Sequence, residues 1–175
     1  MNLEQLQYPI GHFEVPSEIS EEKILEAITI LEVFPLQLRE LTSTLTDAIL
    51  DTKYRPEGWT IRQVVHHISD SHHHSYSRIK WALTEDNPLV KVYDEKAWAE
   101  LVDSKTAPVA WSLTHIEVVH QKMVHLLRLM TEEQWNKTFR HPESGEETSM
   151  KLNTLRYAWH SMHHFMHIKN AIERM

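Results

Sequence analysis

No cysteine occurs among the 175 residues, which excludes disulfide staples, thiolate nucleophiles and every cysteine-containing zinc site. Any metal chemistry must therefore use nitrogen and oxygen ligands. Glycine is also scarce, with 3 residues. Neither a GxxxxGK[ST] nor a GxGxxG run is present, so a glycine-rich phosphate cradle is not expected. No stretch approaches the roughly 18 consecutive apolar residues that a membrane span requires. Basic residues number 18 against 25 acidic ones, and the formal net charge of −7 repels a phosphate backbone. Nucleic acid is therefore not an expected partner. The opening MNLEQLQYPIGHFEVPSEIS has neither a basic leader nor an apolar block ending in a small-residue cleavage site, so a cytoplasmic location is expected.

The chain length suits one domain spanning 1–175. Between Ser20 and Leu45, apolar residues recur at Ile24, Leu25, Ile28, Leu31, Phe34, Leu38, Leu41 and Leu45, the three-and-four spacing of a buried helical face, with a kink or break expected at Pro35. Thr60 followed by Gln63 has the form of a capping box and opens a second helix, Thr60 to Thr84. A long connection follows that suits a crossover between bundle helices better than a tight hairpin, and within it DEKAWAELV can form a short helix. The period returns from Val109 to Met130 through Leu113, Ile116, Val119, Met123, Leu126 and Leu127. Thr131 to Gln134 offers another capping box. His141-Pro142 and Ser144-Gly145 supply turn chemistry for a small hairpin, and Leu152 to Arg174 is helical again. Four amphipathic segments with almost no strand signal predict an all-α protein, an antiparallel four-helix bundle with a long connection between its second and third helices.

Histidine is the residue in excess. There are 14, five of them between His66 and His74 and four between His160 and His167. Two histidines at i and i+4 lie about 40° apart around a helix axis, one turn apart along it, close enough to share an ion. The last helix offers His160 with His164 and His163 with His167. The stripe through Tyr157, Ser161, His164, Ile168 and Ala171 favours the first pair as the inward one and leaves His163 and His167 more peripheral. One helix cannot surround an ion, so a third ligand must come from the second helix, where the apolar stripe narrows the choice to His67 or His72 without deciding it. Burying several imidazoles is costly unless each finds a partner, and a metal satisfies three at once. His12, His115, His125 and His141 stand alone and are read as solvated or singly hydrogen-bonded. Glu117-Val118-Val119-His120 has the form of a di-iron Glu-x-x-His motif, but it lacks companion glutamates on the other helices, and the ferritin-like reading fails on ligand count.

The segments GWTIRQVVHHISDSH, VYDEKAWAELVDSKTA and WHSMHHFMHI, with YPIG at Tyr8 to Gly11 and LDTKYR at Leu50 to Arg55, resemble the YfiT branch of the DinB-like superfamily over nearly the whole chain. The resemblance implies a four-helix bundle, a homodimer, and one divalent metal per subunit held by three histidines with a position left for water. Carried onto this sequence, the ligands are His67, His160 and His164, which agrees with the inward pair and selects His67 over His72. Zinc is the first expectation and nickel the second. Three neutral imidazoles leave the cation its full charge, able to lower the pKa of bound water towards 7, so the implied activity is metal-dependent hydrolysis of a small-molecule substrate. Asp70, Ser71 and His163 are candidate helpers for proton transfer or orientation. The alternative is metal-dependent transfer of a low-molecular-weight thiol of the bacillithiol type to an electrophile, and a further one is a non-catalytic metal-binding structural dimer. No role is assigned to His72, His73, His74 or His167, and His73 and His74 exceed the family pattern as decoration or a weaker second site.

Overall fold

The structure is a computed structural model and describes residues 2–142 and 145–175. In chain order it contains α1 (Leu3–Gln7), α2 (Glu21–Thr42), α3 (Asp47–Leu50), α4 (Ile61–Thr84), α5 (Glu95–Ala99), α6 (Val102–Thr106), α7 (Val109–Arg128), α8 (Glu132–Trp135), β1 (Thr138–Arg140), β2 (Glu147–Ser149) and α9 (Met150–Glu173). The long helices α2, α4, α7 and α9 form a four-helix bundle, as the periodicity predicts.

Each long helix starts where local chemistry tells it to, with one exception. The Ser20 hydroxyl accepts from the backbone of Lys23 ahead of α2, Thr60 and Gln63 close a reciprocal capping box ahead of α4, and Ser149 caps α9. Helix α7 begins after Pro108 with no side-chain cap. Helix α2 runs through Pro35 without the expected break. Proline has no N–H, so the Leu31 carbonyl one turn earlier loses its helical partner. His120 of α7 supplies the replacement through Nδ1, and the buried carbonyl stays satisfied.

Around the bundle, α2 packs on α9 and α7, and α4 packs on the same two helices. Side-chain pairs fix the directions. Arg39 meets Glu117 while Glu32 meets Arg128, so α2 and α7 are antiparallel. His66 meets Ser112 and His72 meets His120, so α4 and α7 are parallel. His67 meets His160 and Ser75 meets Asn153, so α4 and α9 are antiparallel. The order is up, down, down, up, so the bundle is not antiparallel throughout, and the long connection is the crossover that its length predicts. The physical reason is the connection of residues 85–108: α4, at 24 residues, is about 36 Å long, and a parallel neighbour requires the chain to return that whole length.

The core has two apolar clusters. One gathers Ile24, Ile28, Leu31, Ile79, Met123 and Leu127, and the other Phe34, Leu38, Ile61, Ile68, Leu113 and Ile168. His72, His120 and His160 lie between them, with Phe34 beside the first two. β1 and β2 pair antiparallel, Phe139 opposite Thr148. Gly145 adopts φ +68°, the left-handed region that suits glycine, while Ser144 of the expected turn lies outside the described residues. Among the described residues, no helix is long and apolar enough to cross a membrane.

Candidate metal centre

The antiparallel packing of α4 on α9 places His67 opposite His160 and His164, which stand one turn apart on α9. One ring nitrogen from each lies within 4.8 Å of the others. His67 Nε2 and His160 Nε2 are 3.3 Å apart. The ring centroids of His67 and His164 are separated by 4.8 Å, those of His160 and His164 by 4.4 Å. Nitrogens at adjacent corners of a tetrahedron with zinc–nitrogen bonds of 2.0–2.1 Å are about 3.3 Å apart, which is the separation of His67 and His160, with His164 close enough to turn a nitrogen to the same ion.

The electrostatics point the same way. Burial pushes His67 down to about 4, with His167 adding to the shift. It holds His160 and His164 well below the ordinary imidazole range, and the neighbouring rings lower both further. All three are therefore neutral at physiological pH, the state in which imidazole offers a lone pair.

These rings form the floor of a cleft of roughly 1030 Å³ at the end of the bundle where α4 begins and α9 ends. Tyr54, Trp59 and Trp159 wall it, and Trp59 packs 4.8 Å from His67. His163 lines the same cleft, stacked on Trp159 at 4.5 Å, and its Nδ1 is buried without a hydrogen-bond partner. His163, His164 and His167 make a second close group that shares His164. His163 and His167 are buried, against the peripheral position expected for them. The cause is a segment with no helical-stripe signal: the chain at Gln7 and Tyr8 crosses this face of α9. There His167 Nε2 donates to the Gln7 carbonyl at 3.0 Å, and Tyr8 packs on His163.

The other candidates separate from the centre. Asp70 and Ser71 do not line the cleft. Asp70 sits half-buried on α4, where desolvation first and the Asp103 charge second raise it to about 6. His73 pairs with His115, which also meets Ser69, and His74 stacks on Tyr93. Their orientation towards α7 and the connection makes them packing groups. His72 is wholly buried and bonds to His160 behind the centre. His120, to which the sequence assigns no role, joins its ring to His72. Its signal was the Glu117-x-x-His120 spacing, set aside because Glu117 has no partner carboxylates, and in the structure Glu117 faces Arg39 instead.

A four-helix bundle with imidazoles from two helices converging under an open cleft defines a class of histidine-centred helical protein. The chain belongs to the DinB superfamily, whose family description matches residues 31–168. It is 44% identical over 170 residues to a Bacillus subtilis protein named "Putative metal-dependent hydrolase YfiT", covering 97% of this chain and 96% of that one. Relatives with the same description include one from Oceanobacillus iheyensis, 45% identical over 96% of each chain, and one from Bacillus cereus, 46% identical over 99% of each. The solved structure of the Bacillus subtilis protein superposes with a TM-score of 0.95 over 98% of both chains, and is described as having "an unusual four-helix bundle topology".

Proposed function

We propose that this protein is a metal-dependent hydrolase acting on a small molecule, with a divalent ion, zinc in first place and nickel in second, held by His67, His160 and His164. The observation that carries the reading is three neutral, inward-facing imidazoles at coordinating distance beneath an open cleft. The names of its relatives support it. With three uncharged ligands a bound ion keeps its full charge for Lewis-acid activation of water and of a carbonyl or phosphoryl group.

The remaining residues of the cleft bind, shield and orient. Trp59 packs on His67 and Trp159 on His163, giving the cleft two aromatic walls. Lys53, Arg55 and Lys96 stand at the mouth with Glu57, Glu95 and Glu100, so the entrance suits a small polar substrate. His163 is held neutral, pushed down to about 3 by burial and then by its histidine neighbours, so its unpartnered Nδ1 serves to hydrogen-bond and orient a substrate in the cleft and not to take up a proton. The active unit is proposed to be a homodimer, measurable by sedimentation.

Elemental analysis of protein purified without an affinity tag for metals tests the centre, with one equivalent of a divalent ion expected. His164→Ala is expected to lose it. A panel of esters and amides, beside a low-molecular-weight thiol with a chromogenic electrophile, tests the reaction. Thiol conjugation without ester or amide turnover would replace hydrolysis by transfer, and undiminished metal content in His164→Ala would leave only a structural role.

A further inference from the structure

A chain of imidazoles runs from the centre into the core. His160 Nδ1 lies 3.1 Å from His72 Nε2, His72 Nδ1 lies 2.8 Å from His120 Nε2, and His120 Nδ1 meets the Leu31 carbonyl. A carbonyl oxygen only accepts, so His120 must carry its proton on Nδ1, and its Nε2 is then an acceptor. His72 must in turn donate from Nδ1 and accept at Nε2. His160 therefore donates from Nδ1, and its Nε2, the atom facing His67, is a bare lone pair.

The same logic runs through a second, shorter arm. His167 Nε2 donates to the Gln7 carbonyl, which leaves His167 Nδ1 as acceptor, and His164 Nδ1 lies 3.3 Å away to donate. The Nε2 of His164 is likewise unprotonated. Two backbone carbonyls, one of them stripped of its helical partner by Pro35, thus dictate the tautomer of both α9 ligands.

We propose that His72, His120 and His167 are positioning residues that lock His160 and His164 in the Nδ1–H tautomer, so that both present Nε2 to a metal before any metal arrives. The proposal rests on the metal-centre reading for its purpose. Each nitrogen–nitrogen contact needs one donor and one acceptor, so the two carbonyls at the ends of the arms fix where each ring carries its proton. In the metal-free protein the 3.3 Å contact between His67 Nε2 and His160 Nε2 requires His67 to be the donor. His67 alone must move its proton when a metal binds. His164 Nδ1 is committed to His167, so the group of His163, His164 and His167 is not a second metal site.

The test uses the full chain with labelled histidines. Imidazole nitrogen chemical shifts in the metal-free protein are expected to show protonated Nδ1 and bare Nε2 at His160 and His164, with zinc changing the tautomer of His67 only. Zinc affinity by chelator competition is expected to fall about 10- to 100-fold in His72→Phe. His72→Gln, which keeps an acceptor towards His160, is expected to recover most of it. An Nε2–H tautomer at His160 or His164 overturns the proposal, as does wild-type affinity in His72→Phe or a stoichiometry of two zinc ions per chain. If His72→Phe does not fold, the wild-type tautomers still decide. Because they are read without metal, the expected pattern in a protein that binds no zinc upholds the relay while refuting the metal centre.

Discussion

His120 shows what burial does to a single ring. It is 1% exposed, its Nδ1 satisfies the Leu31 carbonyl, and its Nε2 meets His72. Desolvation, opposed only by that carbonyl, pushes it down to about 4. Above pH 6.5 it is neutral in folded and unfolded chains alike and adds no pH dependence. Between pH 6.5 and about 4 the unfolded chain takes up a proton that the folded chain refuses, so stability falls as the pH falls, by up to about 3 kcal/mol for this one residue. Denaturant unfolding of the metal-free protein across that window checks it: His120→Gln is expected to lower the proton uptake on unfolding by about one, and an unchanged slope would refute the assignment. The pairing of His160 with His164 was readable from i, i+4 spacing. The pairing of His72 with His120 was not, because it joins two helices whose relative register no local pattern reveals.

Helices begin where their caps are written. Thr60 and Gln63 exchange hydrogen bonds across the first turn of α4, and Gln63 also donates to the Ala99 carbonyl, tying the cap to α5 near the cleft. Thr60→Ala is expected to cost about 1 kcal/mol of unfolding free energy. Chemical denaturation measures it, and a loss below a few tenths would mean that packing alone holds the helix start. The four long helices were legible because apolar periodicity and capping residues are local signals. The continuity of α2 through Pro35 was not, since it depends on a histidine from α7. The burial of His163 and His167 was hidden for the same kind of reason: the strand of chain at Gln7 and Tyr8 that covers them has no periodicity of its own.

Across the whole molecule, the proposed ligands join α4 to α9, so occupancy of the site and stability of the bundle are linked. Free zinc at 100 times its dissociation constant is expected to add about 2.7 kcal/mol, which for a chain of this size raises Tm by about 5–10 °C. Calorimetry checks it, with His164→Ala expected to show no comparable rise; an equal rise in that variant would place the zinc elsewhere. The amino-acid order specified the helical class, the bundle, most helix boundaries and the histidine-rich segments, because each follows from neighbours a few residues apart. Its shortfalls were the side-chain pairs between α4 and α7, the covering of α9 by the N-terminal segment, and the tautomer each ring must hold. Those depend on groups far apart in sequence, and a buried carbonyl or imidazole acquires its partner only when the helices have been brought together.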